Sequence, residues 1–158
     1  MVKLTDLAKV AWNEKDIASG KAEHVLEAIM GLISSDDNIR NRSYWQLDNE
    51  VVLQGDLYEA AYHVIPFLVQ MLDIRPDHGR DRIYDLLYEI ANGFAPPTAR
   101  CHTDEGEDIP LMDGVYRQLN IARGIFLRDA SDADSEISTR AKELTELIES
   151  GQRTDQCN

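Results

Sequence analysis

A chain of 158 residues that is 43% hydrophobic and 28% charged can bury one apolar core and is too apolar to remain disordered. Its 16 lysines and arginines against 29 aspartates and glutamates leave a net charge of -13, which repels nucleic acid and anionic lipid and attracts a basic protein. No apolar run approaches the roughly 20 residues of a membrane span, and the first residues lack the apolar stretch of a signal peptide.

Taken in order, Leu4, Leu7, Ala8, Ala11 and Trp12 predict a short leading helix, ended by the polar stretch 13–20. Ala22, Val25, Leu26, Ile29 and Ile33 repeat at helical spacing and predict an amphipathic helix over 21–33. Residues 34–38 offer capping side chains to the next helix, which turns Ile39, Leu47 and Val51 inward and is closed by Gly55. The most apolar segment follows, with Leu57, Ala60, Ala61, Val64, Ile65, Leu68 and Leu72 on one wide stripe. Pro66 interrupts it, so the expectation is two short rods, 57–64 and 66–72, meeting at a bend.

Beyond a turn at 73–79, a helix over 80–92 places Ile83, Leu86, Leu87, Ile90 and Ala91 inward and stops at Gly93. From 94 to 112 periodicity vanishes, which predicts a long loop. Helix resumes over 113–128 with Val115, Leu119, Ala122 and Phe126, and a capping cluster at 131–135 opens a last helix marked by Ile137, Ala141, Leu144 and Ile148. No stretch reads as a strand. The expected fold is all-α, a single domain over 1–150 with a polar, flexible tail over 151–158. Cys101 in the long loop and Cys157 in the tail do not make a disulfide framework, so a cytoplasmic, reducing setting is expected.

Three helix starts resemble one another: Asp36 to Arg40 before Leu47, Asp77 to Ile83 before Leu86, and Asp134 to Ala141 before Leu144. Each is an acidic cap, an arginine and then the stripe of a second helix that follows a more apolar first one. Such units bury their faces only by stacking on neighbours. With the proline-broken first helix Val64-Ile65-Pro66-Phe67-Leu68, and the stretch from Asn49 through Gln54-Gly55 and Tyr58-Glu59-Ala60, the chain resembles small bacterial HEAT or armadillo-type repeat proteins. The resemblance implies an α-α superhelix of about three stacked hairpins used to bind proteins. Some members of that group are similar to immunity proteins that neutralise toxins; others resemble DNA-repair glycosylases, whose basic concave face the acidic charge contradicts.

In such an array the second helices line the concave face. Tyr84 and Tyr88 lie four apart there, as do Asp85 and Glu89, and Tyr44, Trp45 and Asp48 take the equivalent place one repeat earlier. Aromatics beside carboxylates suit a partner rich in lysine and arginine; alternatively the tyrosines pack at repeat junctions and the acids are solvated. Asp104, Glu105, Glu107 and Asp108 form an acidic run in the long loop next to His102, a lure for a basic partner or a solvated loop. No ligand spacing there defines a metal site. Asp132, Asp134, Glu136 and Glu143 fit four calcium-loop positions, but Ile137 occupies the one that needs glycine. His63 reads as a structural histidine, and phosphate loops, nucleophile elbows and zinc signatures are missing. The expectation is therefore a protein-binding module with no cofactor and no catalytic residue, most concretely an immunity protein against a basic toxin domain such as a nuclease. The alternatives are a HEAT-like regulatory or scaffold protein, and a small enzyme or metal-dependent protein using the His102 loop.

Overall fold

The computed structural model describes residues 4–155. Two 3-10 turns, Leu4–Lys9 and Trp12–Glu14, lead into a short ribbon of β1 (Asp16–Ile17) against β2 (Gly20–Lys21). Helices α1 (Val25–Gly31) and α2 (Asp37–Val51) follow, then a second ribbon of β3 (Val52–Leu53) and β4 (Asp56–Leu57). Next come α3 (Glu59–Asp73) and α4 (Arg80–Asn92), and a third antiparallel ribbon, β5 (Arg100–His102) with β6 (Asp108–Pro110). The chain ends with α5 (Leu111–Ile121), α6 (Arg123–Asp129) and α7 (Ser135–Asp155). The fold is mostly α.

Its core is organised on α3 and α4. Helix α1 packs on α2, α3 on α4, and α6 on α7; between pairs, α1 meets α3, α3 meets α5, α2 meets α4, and α4 meets α7. Two rows of helices result, α1–α3–α5 with α6 and α2–α4–α7, so α3 and α4 have neighbours on several sides. That is why Ala60 to Ile65, Phe67, Leu68, Met71 and Leu72 are all buried on α3. It also explains the first correction: α3 runs unbroken through Pro66. A proline costs an internal helix about 3 kcal/mol, less than burying even two large aliphatic side chains gains at about 1.5–3 kcal/mol each.

The expected all-α chain does contain strands, and all of them are two or three residues long. Between β3 and β4 both turn residues have positive φ, Gln54 at 53° and Gly55 at 88°, the backbone that matches a two-residue hairpin to strand twist. Leu57 belongs to β4, not to the α3 stripe. The long loop 94–112 is tied at both ends. The Phe94 amide donates to the Gly55 carbonyl at 2.7 Å, the Leu57 amide donates to the Phe94 carbonyl at 2.8 Å, and β5–β6 closes the rest.

Other boundaries move for local reasons. The leading helix forms as 3-10 turns, pinned where the Trp12 indole donates to the Leu7 carbonyl at 2.8 Å. The helix expected over 21–33 starts only at Val25, because Gly20 and Lys21 pair with β1. The single helix expected over 113–128 is two, α5 and α6, joined at Ala122 beside the weak helix former Gly124. Asp36 and Asp134 cap α2 and α7 through their carboxylates. Helix α7 extends to Asp155, so the tail expected from 151 begins as helix, and Cys157 lies outside the described residues. Cys101, expected in a mobile loop, is fully buried on β5, where burial pushes its thiol up to about 11.

Candidate functional site

Helix α4 lies between α2 and α7, and its outward face forms the floor of a cleft of about 150 Å³. Tyr44 comes from α2, Asp85, Tyr88 and Glu89 from α4, Arg140 and Glu143 from α7. The period of four on α4 puts Asp85 and Glu89 on one side of that floor. Trp45, 52% exposed, stands edge-on to the Tyr44 ring at 5.2 Å, and the Arg82 guanidinium sits 5.4 Å from the centre of that ring. The structure thus brings Tyr44, Trp45, Asp48, Asp85, Tyr88 and Glu89 to one region.

Electrostatically the cleft is short of cations. Asp85 is engaged by Arg140 at 2.8 Å, and Arg140 also holds Glu136 at 2.8 Å. Asp48 and Glu89 have no ion-pair partner among the described residues. Burial raises the Asp48 carboxyl above its usual range. Burial, then the charges of Asp48 and Asp85, raise Glu89 likewise. The Tyr44 hydroxyl is pushed up to about 12, first by burial and then by the same carboxylates, with Arg82 opposing. Burial is the first cause of each shift and disfavours any charge; the neighbouring carboxylates that add to it at Glu89 and Tyr44 make further negative charge unwelcome there.

Tyr84 is a correction. It is 1% exposed, and its hydroxyl donates to Asp129 at 2.8 Å, so it forms the base of the cleft and cannot act as a surface anchor. Asp129 itself was invisible in the sequence. Fully buried, it is also met by Arg128 Nε at 2.9 Å, by Arg80 at 3.3 Å and, more distantly, by Arg75 at 3.9 Å. Arg128 reaches on to Asp73 at 2.7 Å and Arg80 to Asp132 at 2.7 Å. This network fastens α6 to α3 and α4 beneath the cleft floor.

The acidic run falls elsewhere, at the tip of β5–β6. There Asp108 is held by Arg100 at 3.1 Å and Glu107 by Arg117 at 2.7 Å, leaving Asp104 and Glu105 with no ion-pair partner among the described residues. The tip overhangs two grooves on the Pro66 side of α3, neither of which includes a cleft residue. His63 borders the first. Its Nε2 is buried without a hydrogen bond, 3.9 Å from Glu59, and burial, then Lys15 and His102, lower its pKa to about 4.

Among the described residues no three histidine, cysteine or acidic side chains gather where they could hold a metal ion, and no helix is long and apolar enough to cross a membrane. Set against known proteins, the chain matches no family model, no curated protein and no solved structure.

Proposed function

We propose that the protein is a binding module that seats a lysine or arginine of a basic protein partner in the α2–α4–α7 cleft. The observation that carries this reading is Glu89, which lines the cleft beside Tyr88 with no cation paired to it and feels the charge of Asp48 on the neighbouring α2, where Trp45 stands exposed against Tyr44. An incoming ammonium or guanidinium would relieve the repulsion between the two carboxylates and lie against aromatic faces. A cleft of about 150 Å³ is below the roughly 300–1,000 Å³ of small-molecule sites, and suits one long side chain.

The order in which helix pairs pack supports a HEAT-like stack of hairpins, with α2, α4 and α7 as second helices. On that reading the protein is most concretely an immunity-type inhibitor that occludes a basic toxin domain, such as a nuclease, in the cytoplasm. A reducing compartment suits the unpaired thiol of Cys101.

The test compares wild type with Asp48→Asn/Glu89→Gln and Trp45→Ala as baits in extracts of cells carrying the gene. A basic protein retained by wild type and released by both variants, whose toxicity co-expression of wild type suppresses, is the expected result. A ligand that ignores both variants would remove the cleft from the interface. A cleft-dependent ligand without toxicity would replace inhibition with a scaffold role.

A further inference from the structure

The second groove on the Pro66 side of α3 differs from the cleft in size and chemistry. It encloses about 470 Å³ between α3, the α5–α6 joint and the overhanging β5–β6 tip, within the range of small-molecule sites. Its walls are apolar: Pro66 and Val69 from α3, and Ile121, Ala122 and Ile125 from the joint. Ile121 is 76% exposed there, a large aliphatic side chain held against water with no neighbour covering it.

The charged groups bordering these walls are mostly acidic, Asp73, Asp104, Glu105 and Glu107 against Arg117. Arg117 is committed to Glu107, and Asp73 is neutralised by Arg128. Asp104 and Glu105, exposed at the tip, have no ion-pair partner among the described residues and accept hydrogen bonds without donating them.

We propose that this groove binds a small organic amine, an ammonium group carried on a compact aromatic or branched apolar body. The body covers Val69, Ile121 and Ile125, while the ammonium, with three donors and no acceptor, faces Asp104 and Glu105. An anionic ligand of the same shape would meet uncompensated carboxylates and be rejected. The site shares no residue with the α2–α4–α7 cleft, so it stands or falls apart from the proposed function.

The probes are phenethylamine, 2-phenylethanol and 3-phenylpropionate, titrated into the isotopically labelled full chain at low salt and followed by amide shifts. The amine is expected to bind with a dissociation constant near or below about 1 mM, at least tenfold tighter than the alcohol, with the acid silent. The largest shifts should fall on Val69, Ile121 and Ile125, and Glu89 should stay still. Asp104→Asn/Glu105→Gln lies at an exposed hairpin tip and leaves the fold intact, which its unchanged spectrum verifies. It should weaken the amine about tenfold or more and spare the alcohol, whereas Ile121→Ala should weaken both. Equal binding of all three probes, an amine that ignores the double variant, or shifts confined to the cleft would each overturn the proposal. So would tighter binding of a lysine-containing peptide than of the free amine, which would make the groove a protein contact.

Discussion

Asp129 shows how much one side chain can hold that its sequence neighbourhood conceals. It follows Arg128 and precedes a capping cluster, where an acid is usually solvated, yet it is fully buried beneath Tyr84 and arginines from three segments. Removing it leaves those cations facing each other across a desolvated gap, so Asp129→Ala should cost about 3–5 kcal/mol in urea unfolding. Tyr84→Phe removes only one bond to that carboxylate and should cost about 1.5–3 kcal/mol. His63 carries a second prediction. Its pKa falls from 6.5 unfolded to about 4 folded, so the fold favours the neutral ring. That stabilisation is fully present above pH 6.5 and is lost as pH drops from 6.5 through 4, by about 3 kcal/mol in all. Unfolding midpoints of wild type and His63→Leu, measured across that window, should diverge only towards the acid end in the wild type's disfavour; parallel curves would refute it. Tyr84 was misplaced by the sequence for a related reason. A stripe of Ile83, Leu86, Leu87 and Ile90 leaves position 84 at its edge, and only the packing of α4 between α2 and α7 widens the buried face to include it.

Among elements, helices were legible wherever apolar spacing and a carboxylate cap coincided, as at Asp36 before α2 and Asp134 before α7. The ribbons were not, because strands of two or three residues are too short for alternation to show. Pro66 misled in the opposite direction: a local rule predicts a break, and the burial of the surrounding α3 residues overrides it. Pro66→Ala should therefore leave the bounds of α3 unchanged and raise stability by up to about 3 kcal/mol, as one backbone donor returns. A crystal structure of the variant with a reoriented α3, or a lower melting temperature, would contradict this. Gly79 behaves differently. With φ of 85° it starts α4 in the left-handed region, and a Cβ there would lie 1.9 Å from the Leu32 carbonyl oxygen. Gly79→Ala should cost more than the roughly 1–2 kcal/mol of backbone strain alone, because the approach of α4 to the end of α1 must also open. Thermal unfolding beside the surface control Gly124→Ala, where a Cβ meets nothing within 4 Å, separates the two effects.

For the whole molecule, charge and the period-four pairing of Asp85 with Glu89 were legible in the sequence, whereas the division of the acids between the α2–α4–α7 cleft and the distant β5–β6 tip was not. The division has kinetic consequences. With a net charge of -13, long-range attraction should speed encounter with a basic partner, and added salt should slow association far more than it changes dissociation. Carboxylates at the β5–β6 tip are exposed and lie outside the cleft, so neutralising Asp104, Glu105, Glu107 and Asp108 together should slow association only and leave stability nearly unchanged. Asp48 and Glu89 should act on the other step. Their raised pKa values mean that folding disfavours their ionised forms. Stabilisation from that source is complete below the unfolded carboxylate range and lost as pH rises through the folded values. At neutral pH, Glu89→Gln should therefore raise the unfolding midpoint while it speeds dissociation of the bound partner. Stopped-flow mixing with the captured partner, read from Trp45 fluorescence over a salt series, measures both rates at once. If Glu89→Gln stabilises the fold and leaves dissociation untouched, the strained carboxylate serves no ligand in the cleft and the electrostatic account of binding fails.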